Sequence, residues 1–417
     1  MFLNWGYAAI KAQMIAKNLQ HEGLTGQQSN LPIIYLPGIL GSKLYDLKNQ
    51  SMIWGDHKGI FHKNDYEYPL DKQSQILAAS SAKQLHSFTI LPGIVDIFIT
   101  MELKMSLERA LSYREGVDLF FLAHDWRADH RLLASMLANE IKRIQQIYGE
   151  QQKIILIAQS ASNCAIRYFL QSTDSQTRDS IAKWYAFGPP WSGTFQALSM
   201  FQTGYYAGSR LFNGFTPDDI AGYPSAYQLL PHSPQIIDGK GNEIKEFNIY
   251  NPECWKSFHM GPYRKGIKSI SAQCQRNRNQ LVENLTSAKS FAESTARRTP
   301  ADRAVPQVWY LSDNHQAVKK AIYDKGHWYL RSKDILRHYP HLASQALSPG
   351  DDHLPVDELL QEWEGPVIRD KNQHPWGNEF AFISQAKTHR KLVNYTPNIR
   401  SLIFDIATLQ QEIKKKA

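Results

Sequence analysis

Residues 153–170 constrain the fold of this chain more than any other stretch. Residues 154–157 form a short aliphatic run bounded by charge, which is typical of a buried parallel strand. Residues 165–170 are mostly apolar and predict a helix packed on that strand. The turn between them, residues 158–162, carries Ser160 at its centre. Such a turn presents the serine hydroxyl at the edge of the sheet, and the helix N-terminus directs backbone N–H groups at any anion formed there.

This arrangement corresponds to the nucleophile elbow of α/β hydrolases, which normally reads Gly-x-Ser-x-Gly. Here Ala158 and Ser162 replace both glycines. Strand and helix pass very close at these positions, and Ala and Ser are the next smallest side chains, so the turn remains feasible. Taken alone, the pentapeptide also fits an ordinary loop in which a serine caps a helix. The catalytic interpretation of Ser160 therefore depends on residues further along the chain.

Predicted strands and helices alternate around the elbow, which indicates a mostly parallel sheet with right-handed crossovers. The strands are expected at residues 31–36, 117–122, 154–157, 183–188 and 307–312, and the helices at 102–111, 131–148 and 287–298. The predicted fold class is therefore α/β, an α/β-hydrolase fold with a mostly parallel central sheet and an inserted cap or lid.

This pattern divides the chain into four parts. Residues 1–30 hold an amphipathic helix and a linker, and residues 31–194 are the first part of the hydrolase core, with lid elements at about 45–100. Residues 195–300 are a cap insertion, and residues 301–417 complete the core. The first helix places Leu3, Tyr7, Ile10 and Met14 at helical spacing, so this face is expected to pack on the core, with a membrane surface as the alternative.

Composition excludes several classes of protein. The formal net charge is +8, but the basic residues are spread out and match no nucleic-acid-binding signature, so no nucleic-acid partner is expected. The three cysteines form no CxxC pair, which argues against a zinc site and a disulfide framework. The N-terminus lacks the features of a secretory signal, and no apolar run is long enough to span a bilayer. We expect a cytoplasmic protein, with peripheral contact to a membrane left open.

Candidate partners for Ser160 lie in the chain order nucleophile, acid, base that α/β hydrolases use. Asp351 and His389 occupy that order. An imidazole takes the serine proton, and a carboxylate orients the imidazole and stabilises its charge. Asp352 is the nearest rival as the acid. The rivals of His389 as the base are His124, His315, His327 and His353.

The loop after the first strand, residues 37–42, can supply part of an oxyanion hole. Gly38 and Gly41 allow the backbone to fold back tightly at the end of the strand. In hydrolases of this shape, the loop after an early strand donates one oxyanion N–H. We assign that role to the Leu40 amide, while an ordinary Pro-Gly turn is the alternative.

Several short blocks, in order along most of the chain, resemble the lecithin:cholesterol acyltransferase-like α/β hydrolases, which include lysosomal phospholipase A2 and phospholipid:diacylglycerol acyltransferase. The blocks are the elbow, LPIIYLPGILGSKL from residue 31, GVDLFFLAHDWR from 116, FGPPWSGT from 187, YPSAYQLLP from 223, NPECW from 251, PGDDHLP from 349 and THRKLV from 388.

The resemblance implies residue roles. Ser160 matches the nucleophile, Asp351 the acid and His389 the base, while Leu40 and Ala161 match the oxyanion-hole donors. Trp54 loosely matches an aromatic residue of the family lid.

This sequence also departs from the family pattern around the proposed site. Besides the two missing glycines, Asn163 stands where a further glycine is common. Asp352 and His353 replace Gly-Thr, and His124 replaces the tyrosine usual before Asp-Trp-Arg. These departures remove no member of the triad. They bear on the substrate more than on the chemistry.

The leading hypothesis is therefore a serine acyltransferase or lipase/esterase that forms an acyl-enzyme on a lipid or other acyl ester, such as a phospholipid. The acyl group passes to water or to a hydroxyl or amine acceptor, and the chemistry needs no metal or cofactor. The alternative is a catalytically silent α/β-hydrolase fold that binds a lipid or an acylated partner. A further alternative concerns location, namely a toxin or effector delivered to membranes.

Overall fold

A computed structural model describes residues 2–24, 31–46, 52–55, 68, 83–91, 95–98, 100–205, 214–369 and 378–416. At its centre lies a sheet of seven parallel strands. In chain order they are β1 (Ile33–Leu36), β2 (Leu119–Phe121), β3 (Ile154–Gln159), β4 (Ile181–Phe187), β5 (Gln307–Ser312), β6 (Val367–Ile368) and β7 (Phe380–Ser384). Across the sheet the order is β6-β7-β5-β4-β3-β1-β2, and every neighbouring pair is parallel.

Helices cover both faces of this sheet. The longer ones are α1 (Phe2–His21), α2 (Met101–Leu111), α3 (His130–Tyr148), α4 (Ser162–Ser172), α5 (Phe195–Thr203), α6 (Ala272–Thr295) and α7 (Thr396–Lys416). One face packs on α3 and α4, and the other on α1, α2 and α7. Because both faces are covered, all six residues of β3 are buried, which explains its continuous apolar sequence.

The remaining helices in the described ranges are short. They are Ser175–Asp179, Pro217–Ile220, Pro224–Gln228, Pro252–Ser257, Pro300–Arg303, Ser332–His338, Ala343–Ala346 and Val356–Leu360, with 3-10 turns at Gly261–Tyr263, Pro340–Leu342 and His389–Asn394.

Among the residues that the structure describes, short strands outside the central sheet form four small assemblies. Ser42–Tyr45 pairs with Met52–Trp54 and Lys83–Gln84, Ser87–Leu91 pairs with Val95–Phe98, His315–Val318 pairs with Leu347–Gly350, and Lys320–Asp324 lies between Gln235–Ile237 and His327–Tyr329.

The insertion between β4 and β5 and the segment after β5 are joined in one of these assemblies. The strand Gln235–Ile237 belongs to the insertion, whereas its parallel partner Lys320–Asp324 comes after β5. A hydrophobic core distinct from those beneath the sheet unites the two segments. The expected division at about residue 300 stays a prediction. The long helix of the insertion is α6, which begins at Ala272 rather than near residue 287.

The N-terminal helix forms as expected but packs through a different face. Its buried side chains are Ala8, Ala12, Ile15 and Leu19. Tyr7, Ile10 and Met14, which the helical spacing predicts to face the core, are 61%, 57% and 59% exposed. The two alanines allow α1 to approach α2 closely, and Lys11 of α1 pairs with Glu102 of α2 at 2.9 Å. The packing face thus combines two alanines with Ile15 and Leu19, whereas the sequence interpretation gives weight only to large side chains.

Part of the expected lid region, residues 45–100, lies outside the described residues. Within the described part, this region contains only short antiparallel strands.

Candidate active site

Ser160 lies directly after β3, at the carboxyl edge of the central sheet. Its backbone adopts a left-handed conformation with φ of 55°, which is rare for a residue other than glycine. The Ser160 amide donates to the carbonyl of Phe187 at 2.8 Å, so the turn is anchored to the end of β4. A Cβ at Gly38 would lie 3.0 Å from the Ser160 Cβ, so the glycine lets the loop after β1 pass the serine without a tight contact.

The residues that replace the elbow glycines are accommodated by specific contacts. Ala158 is fully buried in the sheet. The hydroxyl of Ser162 donates to the carbonyl of Pro37, which connects the elbow to the loop after β1. The sequence marks this position as an anomaly, and only the structure shows its partner.

Asn163 adds a second support to the elbow. Its side-chain amide donates to the Ser160 carbonyl at 2.9 Å, and its Oδ1 accepts from the indole N–H of Trp184 at 3.1 Å. The side chain is fully buried. Asn163 therefore holds the strained turn from within the core, a role that sequence reasoning missed.

His389 begins the 3-10 turn that comes after β7 and lies beside Ser160. Its Nε2 is 2.8 Å from the Ser160 Oγ, and its Nδ1 is 2.6 Å from Oδ2 of Asp351. An ionised carboxylate can only accept, so Nδ1 carries the proton and the Nε2 lone pair faces the serine hydroxyl. Gly188 makes room for the ring, because a Cβ there would lie 2.6 Å from the imidazole Cε1.

Asp351 is buried and held at several atoms. Its Oδ1 accepts from the amides of His353 and Leu354 at 3.1 and 2.9 Å, and its carbonyl accepts from the His389 amide at 2.8 Å. Burial alone would raise the pKa of Asp351, but the adjacent His389 imidazole and the amide donors outweigh it and lower the pKa below its usual value. The rival acid, Asp352, is exposed and has a left-handed φ of 80°, and the His389 imidazole bonds to Asp351 instead.

The predicted oxyanion donors come from the loop after β1 and from the residue that follows Ser160. Leu40 has a left-handed φ of 67° and lines the same pocket as Ser160, while Ala161 precedes the first residue of α4. Within the described part of the chain, neither amide donates to a protein acceptor. Trp54 donates its indole N–H to the Leu40 carbonyl at 3.1 Å and so supports the strained loop.

Of the four rival histidines, only His353 borders the site. Its ring stacks on His389 with a centroid separation of 4.8 Å and an interplanar angle of 27°. Burial and the neighbouring His389 lower the pKa of His353 to about 3, so it stays neutral. His315 and His327 are exposed, and His124 is buried beneath a separate loop, where its amide donates to Ser42.

A pocket of about 120 Å³ opens beside Ser160 and His389. Its lining is largely apolar, which suits an acyl chain. The lining residues are Gly38, Ile39, Leu40, Trp126, Gln159, Ser160, Thr194, Gln196, Ala197, Met200, Tyr205, Phe215, Ile220, Tyr223, Ser225, Ala226, Leu229, His353, His389 and Arg390.

Among the described residues, no group of His, Cys, Asp and Glu side chains is placed to hold a metal ion. All three cysteines are buried and unpaired. No helix in the described ranges combines the length and the apolar character needed to cross a bilayer.

Comparison with solved structures supports the α/β-hydrolase fold. A chain from the crystal structure of the Tle4-Tli4 complex superposes with a TM-score of 0.53 at 13% identity, covering 92% of this chain and 99% of that one. The mature form of the Bacillus licheniformis lipase BlEst2 superposes less well, with a TM-score of 0.38, 11% identity and 88% of each chain covered, and the fold assignment does not depend on it. No curated protein matches the sequence.

The family model for lecithin:cholesterol acyltransferase matches residues 93–327, more than half of the 417-residue chain. The matched range contains Ser160 and the elbow, and it ends before Asp351 and His389. This match confirms the resemblance seen in the sequence blocks, and it places the protein among enzymes of the lipid acyl-ester hydrolase or acyltransferase type. The chain belongs to the lecithin:cholesterol acyltransferase family of α/β hydrolases.

Proposed function

We propose that the protein cleaves an acyl ester of a lipid through a covalent acyl-enzyme on Ser160. The observation that carries this proposal is the continuous chain of hydrogen bonds from Ser160 through His389 to Asp351, with distances of 2.8 and 2.6 Å. Both distances are within the range that proton transfer requires. The apolar pocket beside the serine suits the acyl chain of such a substrate.

The reaction begins when His389 Nε2 takes the proton from the Ser160 hydroxyl as its oxygen attacks the ester carbonyl carbon. The Leu40 and Ala161 amides donate to the oxyanion that forms, since no acceptor among the described residues engages them. Asp351 stabilises the imidazolium and keeps its proton on Nδ1.

His389 then gives the proton to the leaving alcohol, and the acyl group stays on Ser160. A second attack by water yields the free acid, whereas attack by a hydroxyl or amine acceptor yields a new acyl ester or amide. In either case His389 accepts the proton of the attacking group and returns it to Ser160, so the enzyme is regenerated without a cofactor.

Intact-mass measurement after incubation with a fluorophosphonate tests the role of Ser160. We expect one adduct on the wild type and none on Ser160→Ala, with ester turnover lost in the same variant. Ser172→Ala is the matched control, because Ser172 lies at the far end of α4 and its hydroxyl donates to the Phe169 carbonyl. Ester turnover by folded Ser160→Ala would refute the proposal.

The absence of an adduct on the folded wild type would instead favour the catalytically silent binder. Native mass spectrometry would then be expected to detect an acyl ligand that the protein holds without turning it over.

A further inference from the structure

The mouth of the pocket carries a positive charge. Of the described residues that line the pocket, Arg390 alone has a permanently charged side chain. The other lining residues are apolar or neutral, apart from the two histidines at the candidate active site. A charge at this place can distinguish between substrates that share an acyl chain but differ in their head group.

The direction of the Arg390 side chain follows from that of His389, its neighbour in the chain. The two residues begin the same 3-10 turn, where successive side chains point about 120° apart. The His389 side chain is buried against Ser160, so its neighbour Arg390 is directed outward and is exposed. The Arg390 Nη1 lies 3.5 Å from the hydroxyl of Tyr205, another residue of the pocket lining.

Among the described residues, no carboxylate neutralises this guanidinium. Every ion pair found in those ranges involves other residues, and Arg390 takes part in none of them. Its charge also reaches the active site, since it is one of the causes, after burial and His389, that lower the pKa of His353. An anion at the mouth would therefore gain a charge-assisted contact without displacing a carboxylate of the described chain.

The apolar lining and the charge of Arg390 together predict how the substrate lies in the pocket. Apolar residues such as Trp126, Met200 and Phe215 suit the acyl chain, whereas burying an anion among them would be costly. With the ester carbonyl at Ser160 and the acyl chain against the apolar lining, the exposed part of the lining, which includes Arg390, is left for the leaving alcohol.

We propose that Arg390 binds an anionic group on the leaving-alcohol side of the ester, so that the site prefers acyl esters with a net negative head group over zwitterionic or neutral ones. The expected effects on turnover rest on the proposed function of Ser160, whereas the expected effects on binding do not. A guanidinium can bind a phosphate or a carboxylate through two parallel N–H donors. Arg390 is thus a specificity-determining residue in addition to the triad.

Four short-chain substrates with the same acyl groups test the proposal, each used below its critical micelle concentration so that no lipid surface is present. They are a neutral diacylglycerol, a diacyl phosphoglycerol, a diacyl phosphocholine and a diacylglycerol hemisuccinate. Comparing the phosphoglycerol with the hemisuccinate distinguishes phosphate from carboxylate recognition. The variants are Arg390→Gln, Arg390→Lys and Lys391→Gln. Lys391 is the matched control, because it is exposed and adjacent in sequence but does not line the pocket.

The charge preference is the kcat/KM for an anionic ester divided by the kcat/KM for the neutral ester. We expect Arg390→Gln to lower this ratio by roughly 10- to 100-fold, which corresponds to the usual free energy of a hydrogen bond to a charged group. Arg390→Lys should retain part of the preference, and Lys391→Gln should leave the ratio unchanged. An unchanged ratio in Arg390→Gln, or an equal fall in Lys391→Gln, would overturn the proposal.

Calorimetric binding of ether analogues, which cannot be cleaved, separates this proposal from the proposed function. Ser160→Ala should bind the anionic ether more tightly than the neutral ether, and the additional substitution Arg390→Gln should abolish the difference. Equal binding of the two ethers would refute the role of Arg390 even if Ser160 is catalytic. Conversely, the ethers could show the charge preference in binding while the wild type fails to turn over any of the esters. That result would leave Arg390 as the anion site and reject the catalytic proposal.

Discussion

Replacing Gly188 with alanine should disable the candidate active site by displacing His389, the proposed base. The new Cβ would lie 2.6 Å from Cε1 and 2.9 Å from Nδ1 of His389, and 2.9 Å from Cδ1 of Leu392. The first of these falls about 0.8 Å inside the 3.4 Å at which ordinary van der Waals contact begins. A ring shift of that size would lengthen the 2.8 Å contact between Nε2 and the Ser160 Oγ beyond hydrogen-bond range.

The expected effect on activity is large and the effect on stability is modest. A misplacement of the reacting groups by about 1 Å costs on the order of 100-fold in rate. Alanine at the left-handed φ of 54° costs about 1–2 kcal/mol of unfolding free energy. The rate of inactivation by a fluorophosphonate measures the loss of reactivity, and the thermal unfolding midpoint measures the loss of stability.

Gly116→Ala is the control that separates backbone strain from the clash with the imidazole. Gly116 also has a positive φ, 79°, but a Cβ there would meet nothing within 4 Å. Gly116→Ala should therefore lose about as much stability as Gly188→Ala, but the fluorophosphonate should inactivate it at the wild-type rate. If Gly188→Ala reacts with the fluorophosphonate within a few-fold of the wild-type rate, the reasoning is wrong.

Two further predictions concern the elbow and the acid. Ser162→Ala removes the hydrogen bond to the Pro37 carbonyl and should lower kcat by roughly 10-fold, because it loosens the loop that holds the proposed oxyanion donor Leu40. KM should change little, and a kcat equal to that of the wild type would contradict this prediction. The pKa of Asp351 is lowered in the folded protein, whereas in the unfolded chain it is about 4. The Asp351 carboxylate therefore contributes to the unfolding free energy above about pH 4. This contribution is lost as the pH falls through the lower pKa of the folded state. The stability difference between the wild type and Asp351→Asn, measured by urea unfolding, should thus shrink on acidification, and a constant difference would count against the lowered pKa.

Much of the core could be predicted from the sequence because its signals are local. The aliphatic run of β3 and the apolar spacing of α3 each specify an element without knowledge of the rest of the chain. The order Ser160, Asp351 and His389 is enough to name three residues that the structure brings together. For Ser160 and His389 chain order works because β3 and β7 bring their carboxyl ends to one edge of the parallel sheet, whereas Asp351 follows Leu347–Gly350, a strand of a separate antiparallel pair.

Other features depend on contacts that no local pattern shows. The face of α1 that packs includes Ala8 and Ala12, which a pattern of large apolar residues does not mark. The elbow tolerates Ser162 because its hydroxyl finds the Pro37 carbonyl, 125 positions earlier in the chain. The charge at the pocket mouth could have been suspected from the sequence, since Arg390 comes directly after the predicted base.

The wide spacing of the three central residues along the chain has a consequence for folding. Ser160 and His389 are separated by 229 positions, so their contact closes a very long loop and requires nearly every strand of the sheet to be in place. Contacts of such separation form late and slowly, because loop-closure entropy must be overcome before they contribute. Reactivity at Ser160 should thus appear only after tryptophan burial is nearly complete during refolding. A reactive Ser160 is then itself a marker of the finished native state.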